Sequence, residues 1–227
     1  MSTAIKDLFD LGLHFGHLKR YLHPKNKGFI FSIINGVAII DLEKTQEKLK
    51  EAEDFVKTLA KENKTLLFVG TKRQIGEIIK ENAEEIKMPY IHKRFMGGTL
   101  TNFETVKKNL QKLQEMEKQL QEGQKLNKKE RASLEKEYKK LQLFLGGLTK
   151  LEKLPDALFV VDVVKESNAV NEANRLGIPV IAILDTNGNP TKITYPIPGN
   201  DDSRKGVDFI VKRIVKAYKS VKERKQK

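Results

Sequence analysis

LFVVDVVKESNAVNEANRLGIPVIAIL, Leu158 to Leu184, is the stretch whose reading decides the fold. Four consecutive apolar residues, Leu158 to Val161, precede a helical stretch, Glu166 to Leu176, and a second apolar run follows at Val180 to Leu184. Runs without polar alternation suit strands buried on both faces, the condition of a parallel sheet. Two more such runs lie upstream, Val37 to Ile40 and Leu66 to Val69, each followed by a helical stretch, Glu43 to Lys61 and Lys72 to Lys87. Strand alternating with helix implies parallel pairing through right-handed crossovers. The predicted class is α/β: a doubly wound, Rossmann- or flavodoxin-like parallel sheet flanked by helices. Tyr90 to His92 is a further expected strand. Asp202 to Arg224 reads as a terminal helix covering the sheet with Val207, Ile210, Val211, Ile214 and Val215.

One stretch breaks the alternation. Glu104 to Leu145 has no Pro, one Gly, and mostly Lys, Glu, Gln and Leu, which predicts a helical hairpin. Val106, Leu110, Leu113 and Leu120 form one seam, and Leu134, Tyr138, Leu141 and Leu145 the other, with coiled-coil steps of three and four. The arms part at Glu122-Gly123-Gln124, and Asn127 with Glu130, like Thr101 with Glu104, has capping-box spacing. The expected organisation is an α/β body in two parts, 1–103 and 146–222, an inserted coiled-coil hairpin at 104–145, and a basic tail at 223–227. No repeat of solenoid period is present.

Charged residues make up 32% of the 227 and hydrophobic ones 39%, against about 25% and roughly 45–50% in an average domain, so the surface is strongly charged. Lys and Arg exceed Asp and Glu by 13, which favours polyanionic partners, nucleic acid first. The excess is concentrated: Leu11 to Ile40 carries Lys19, Arg20, Lys25 and Lys27 without one acidic residue, and Pro24 and Gly28 predict an irregular cationic loop there. Asp202 to Lys227 holds ten cations against three acids. The absence of Cys excludes disulfides, thiolate zinc sites and thiol nucleophiles and fits a reducing compartment. The first ten residues lack a signal-peptide pattern, and no apolar run approaches the roughly 18 residues of a membrane helix, so a cytoplasmic protein is expected.

Ligands of parallel α/β sheets bind beyond the carboxyl ends of the strands, which here bear Asp41, Gly70, Asp162 and Asp185. Three carboxylates could hold Mg²⁺ for phosphoryl transfer, the alternative function, but an Asp in this place more often caps a helix or closes a turn. Gly70-Thr71-Lys72-Arg73 opens a helix with Thr71 as its expected N-cap and suits a phosphate, while lacking the spacing of a nucleotide loop. His14 and His17 are three apart and could share a metal, a reading weakened by Gly16. Lys93, Arg94, Thr99, Thr101 and Asn102 surround a Gly-Gly pair and fit contacts to phosphate and sugar oxygens. The expected RNA-binding set is therefore His14, His17, Lys19, Arg20, Lys25, Lys27, Lys72, Arg73, Lys93, Arg94, Thr99, Thr101 and Asn102. No cofactor, no metal and no catalytic residue is expected.

These stretches together resemble the ribosomal protein S2 family, nearly end to end. The resemblance rests on Gly12-Leu13-His14-Phe15-Gly16-His17, Ile39-Ile40-Asp41-Leu42-Glu43-Lys44-Thr45, Phe68-Val69-Gly70-Thr71-Lys72-Arg73 and Gly97-Gly98-Thr99-Leu100-Thr101-Asn102. It continues through Leu154-Pro155-Asp156-Ala157-Leu158-Phe159-Val160, Gly177-Ile178-Pro179-Val180, Asp185-Thr186-Asn187 and Ile197-Pro198-Gly199-Asn200-Asp201-Asp202. It implies a non-enzymatic constituent of the small ribosomal subunit, seated on 16S rRNA between head and body beside other subunit proteins. It further implies recruitment of the large OB-repeat ribosomal protein that captures mRNA. The family often has Trp where Leu22 and Phe95 stand, and some members carry a longer acidic tail.

Overall fold

The structure, a computed structural model, describes residues 3–121 and 127–222. Five parallel strands form the central sheet: β4 (Leu66–Val69), β5 (Tyr90–Ile91), β6 (Ala157–Val161), β7 (Val180–Leu184) and β8 (Tyr195–Pro198). Their order, β5-β4-β6-β7-β8, is the flavodoxin-like order 2-1-3-4-5 when only these strands are counted.

Every residue of β4, β6 and β7 is buried, as unbroken apolar runs require, and successive side chains serve opposite faces. Leu66, Phe68, Phe159, Val161, Ile181 and Ile183 pack on one side against α1 (Thr3–Asp10), α2 (Leu42–Lys61), α3 (Gly76–Glu85) and α7 (Arg204–Lys222). Leu67, Val69, Leu158, Val160, Val180 and Ala182 pack on the other against α6 (Ser167–Arg175) and the bases of α4 (Phe103–Gln121) and α5 (Lys128–Leu145). Within α7, Val207, Ile210, Val211, Ile214 and Val215 are all buried, as their helical spacing predicts.

Val37–Ile40 is a strand, but not of this sheet. As β3 it sits between β1 (Phe15–Leu18) and β2 (Ile30–Ile34) in a separate antiparallel sheet. Only Ala38 and Ile40 are buried, so one face of the strand stays near solvent. Leu11 to Ile40 is accordingly more regular than expected, with three strands and two short 3₁₀ turns, Lys19–Tyr21 and Pro24–Phe29. Edge strand β8 was missed because Pro196 and Pro198 argue against a strand, and prolines are tolerated only at an edge.

Helices α4 and α5 pack against each other, with Lys112 and Glu137 paired across them at 2.5 Å. Val106, Leu110 and Leu113 are buried on α4, joined by Met116, while Leu145 is the buried residue of α5. The Asn127–Glu130 capping box is present in full. Thr101 is not the cap of α4: that helix begins at Phe103, and the Thr101 hydroxyl donates elsewhere. The expected break at Glu122-Gly123-Gln124 and the basic tail from Glu223 onward lie outside the described residues.

Candidate nucleic-acid interface

Because the five strands run parallel, their carboxyl ends share one edge, and most of the expected RNA-binding residues gather along it. Segment 17–29 reaches this edge by docking on the turn that follows β7. Asn26, 2% exposed, donates from Nδ2 to the carbonyls of Asp185, Thr186 and Gly188 at 3.1, 2.9 and 2.8 Å. His23 N–H donates to the Thr186 carbonyl and His17 N–H to the Thr186 hydroxyl, both at 2.9 Å. A methyl group on Gly16 would stand 2.4 Å from Thr186 Cγ2, so this approach requires glycine. Lys19, Arg20, Lys25 and Lys27 are all exposed on the segment and none forms an ion pair with a described residue. The Arg20 guanidinium lies over the Tyr21 ring at 4.7 Å. A rigid backbone thus presents four uncompensated cations.

After β4 and β5 the same edge carries Arg73, Lys93 and Arg94, all exposed, with Lys93 drawn toward Glu77 at 3.1 Å. The following glycine loop is organised from below by a residue that sequence reasoning missed. Buried Glu172 of α6 accepts from the N–H groups of Gly98, Leu100 and Thr101 at 2.6, 2.9 and 3.0 Å, and from the Thr101 hydroxyl at 3.2 Å. Thr99 is buried and donates its hydroxyl to the Met96 carbonyl, whereas Thr101 and Asn102 stay exposed. No local pattern marks Glu172, because its partners lie about 70 positions away in sequence.

Lys72 behaves differently from its neighbours. Its ammonium, on a side chain 16% exposed, lies 3.1 Å from Asp162, 2.6 Å from Asp201 and 2.7 Å from Asp202. Helix α3 starts at Gly76, so neither Lys72 nor Thr71 belongs to its first turn; Thr71 instead donates its hydroxyl and its N–H to Glu166. Burial of Glu166 raises its carboxyl pKa against the pull of those Thr71 bonds. Burial raises Asp201 to about 7, with Asp162 and Asp185 adding repulsion that Lys72 only partly offsets. A crevice beyond β4 and β6, the topological switch point where this fold class binds nucleotides, is therefore filled by the protein's own ions.

The carboxylates considered for Mg²⁺ are each engaged elsewhere. Asp41 caps α2, accepting from Glu43 and Lys44 N–H; Asp162 accepts from Val164 and Lys165 N–H besides facing Lys72; Asp185 pairs with His17 at 3.0 Å. Among the described residues no group of three or more metal-ligating side chains converges. His14 and His17 also part: His14 is buried and stacked on Phe9 at 4.2 Å, and its burial lowers its pKa. Burial opposes protonation of His17 as well, yet the hydrogen bond and charge of Asp185, backed by Asp201 and Asp202, leave its pKa raised.

A second surface is apolar. Phe9, Phe15, Phe31 and Ile34 expose about half or more of their area, Phe31 as much as 75%, around a groove between α1 and the antiparallel sheet. No helix among the described residues is long and apolar enough to cross a membrane.

The sequence matches the model of ribosomal protein S2 over residues 8–220. It is 46% identical over 223 residues to the small ribosomal subunit protein uS2 of a Nitratiruptor species, an alignment covering 97% of this chain and 84% of that relative. With the five-stranded parallel sheet in place and the match running through nearly all of it, the chain belongs to the ribosomal protein S2 family.

Proposed function

We propose that this chain is a structural constituent of the small ribosomal subunit that binds 16S rRNA through the carboxyl edge of its sheet and catalyses nothing. The observation carrying this reading is the pinned segment 17–29, whose four cations have no acidic partner among the described residues while Asn26 fixes the backbone beneath them. Lys and Arg on a rigid frame neutralise phosphates without the entropy cost of ordering a loop on binding. Arg73, Arg94, Thr101 and Asn102 extend the same contact, and His14, Thr99 and Lys72 serve it by holding the fold. Seating between head and body, in the cytoplasm, follows the family resemblance.

Protein neighbours are the second part of the proposal. The exposed Phe9, Phe15, Phe31 and Ile34 exceed what a free surface needs, and contiguous apolar area of this kind marks a protein contact. The OB-repeat mRNA-capturing protein is one such neighbour. The hairpin of 104–145, an inserted unit with coiled-coil spacing on a body of 1–103 and 146–222, offers a further lever, and the tail of 223–227 adds charge.

The test is salt dependence of binding to small-subunit rRNA. Replacing Lys19, Arg20, Lys25 and Lys27 by Ala should weaken binding and lower the slope of log affinity against log salt by roughly 0.7–0.9 for each phosphate no longer neutralised. An unchanged slope, or a chain absent from small subunits on a sucrose gradient, would overturn the reading.

A further inference from the structure

We propose that the cavity beyond the carboxyl ends of β6 and β7 receives a single unpaired nucleobase of the bound RNA. This rests on the RNA-binding reading and adds the form of RNA it takes. The cavity measures about 320 Å³. Val163, Val170 and Ile193 give it an apolar floor, and half-exposed Val164 continues that floor toward solvent.

Its polar lining is supplied from three directions. Asn171 and Ser167 come from α6, Asn187 and Asn189 from the turn after β7, and His23 from the pinned cationic segment. Several of these groups have donors to spare. Asn171 Oδ1 accepts from Lys192 Nζ, and Asn189 Oδ1 from the N–H and hydroxyl of Thr191, which leaves both amide NH₂ groups without a partner among the described residues. His23 Nδ1 accepts from Lys25 N–H, so the neutral ring carries its proton on Nε2. Ser167 Oγ is likewise unpartnered among those residues.

An apolar floor beneath convergent amide, hydroxyl and imidazole donors suits a flat heterocycle rich in carbonyl and ring-nitrogen acceptors, and such groups read splayed-out bases in RNA. Charge fixes the remainder of the nucleotide. Lys25 lies two residues from His23 on the segment holding Lys19, Arg20 and Lys27, and Lys192 stands at the cavity itself, so phosphates flanking an inserted base meet cations. A base-paired helix cannot reach in, because its bases stay stacked and its phosphates stop at the rim. The neighbouring crevice, where such a fold would otherwise bind a nucleotide, is closed by Lys72.

The experiment uses the full chain and two probes of one sequence, a single-stranded RNA hexanucleotide and its duplex, with side-chain amide signals followed by NMR. The single strand should shift the NH₂ signals of Asn171, Asn187 and Asn189 and the backbone signals of Lys19, Lys25 and Lys27; the duplex should shift only the latter. Ser167→Phe fills the cavity mouth from an exposed position, and Asn168→Phe places the same bulk one residue away. Ser167→Phe should weaken single-strand binding about tenfold, the order of one well-made base contact, while Asn168→Phe and duplex binding stay unchanged. Loop shifts without amide shifts, or equal effects of the two variants, would overturn the cavity proposal and leave the RNA reading standing. Silence at both places would remove the RNA reading itself.

Discussion

Single side chains decide how the charged edge is held. Asn26 is one amide whose NH₂ group donates to three carbonyls of a turn 159 to 162 positions away, from a buried position. Replacing it by Ala takes the side-chain donor from the Gly188 carbonyl, while the Thr186 and Asp185 carbonyls keep the N–H groups of His23 and Gly188, at about 1–3 kcal/mol for the group removed. Asn26→Ala should lower the urea midpoint accordingly without changing the denaturant slope, and hydrogen exchange at the His23 and Asn26 amides should accelerate most. Neither Asn26 nor Glu172 was legible in the sequence. Both act through carbonyl or N–H groups far along the chain, and a lone amide or carboxylate on a polar stretch resembles ordinary surface. Asp41 and Asn127, by contrast, bond to groups two and three residues away, and local spacing was enough to find them.

Among the elements, legibility followed burial. Leu66–Val69, Leu158–Val161 and Val180–Leu184 are buried on both faces and read correctly as central strands. Val37–Ile40 has the same composition but lies in an antiparallel sheet with one face toward solvent, and no local feature separates the two cases. Tyr195–Pro198 failed for the opposite reason, since its prolines disguise a strand that needs pairing on one side only. The two helices were legible because Glu104 to Leu145 carries no Pro and one Gly, while of the seam expected across them only Val106, Leu110, Leu113 and Leu145 are buried. Leu113, buried to 2% on α4, should cost about 2–5 kcal/mol on replacement by Ala, whereas exposed Leu143 of α5 should cost under about 0.5 kcal/mol. Denaturant melts with hydrogen exchange check this: exchange across α4 and α5 should rise in Leu113→Ala before the sheet is affected.

Over the whole molecule, the buried cluster at the sheet's edge ties stability to pH. Asp201 keeps its proton to about pH 7 when folded but releases it near 3.8 when unfolded, so between these values the native state binds more protons. Stability from this group therefore falls as pH rises from about 4 to 7. His17, raised above 6.5 in the fold, acts in the same direction above that pH. Asp201→Asn keeps the shape of the protonated carboxyl and cannot ionise, so its stability relative to the parent should climb through that window and level off above it. Urea midpoints at half-unit pH intervals measure the difference, and parallel curves would contradict it. The fold class was open to sequence reading at this scale, but this cluster was not. Lys72 looked like a phosphate ligand at a strand end, and only the closed sheet brings Asp162, Asp201 and Asp202 around it.

That enclosure has a consequence for how the chain is made. Translation delivers Lys72 129 positions ahead of Asp201 and 130 ahead of Asp202, an interval on the order of ten seconds at about 5–20 residues per second. Until those aspartates emerge, the lysine has only Asp162 to meet and the crevice stands open. A nascent chain therefore locks its charged edge near the end of synthesis, and fragments stopping short of residue 200 are left with a door that has no bolt.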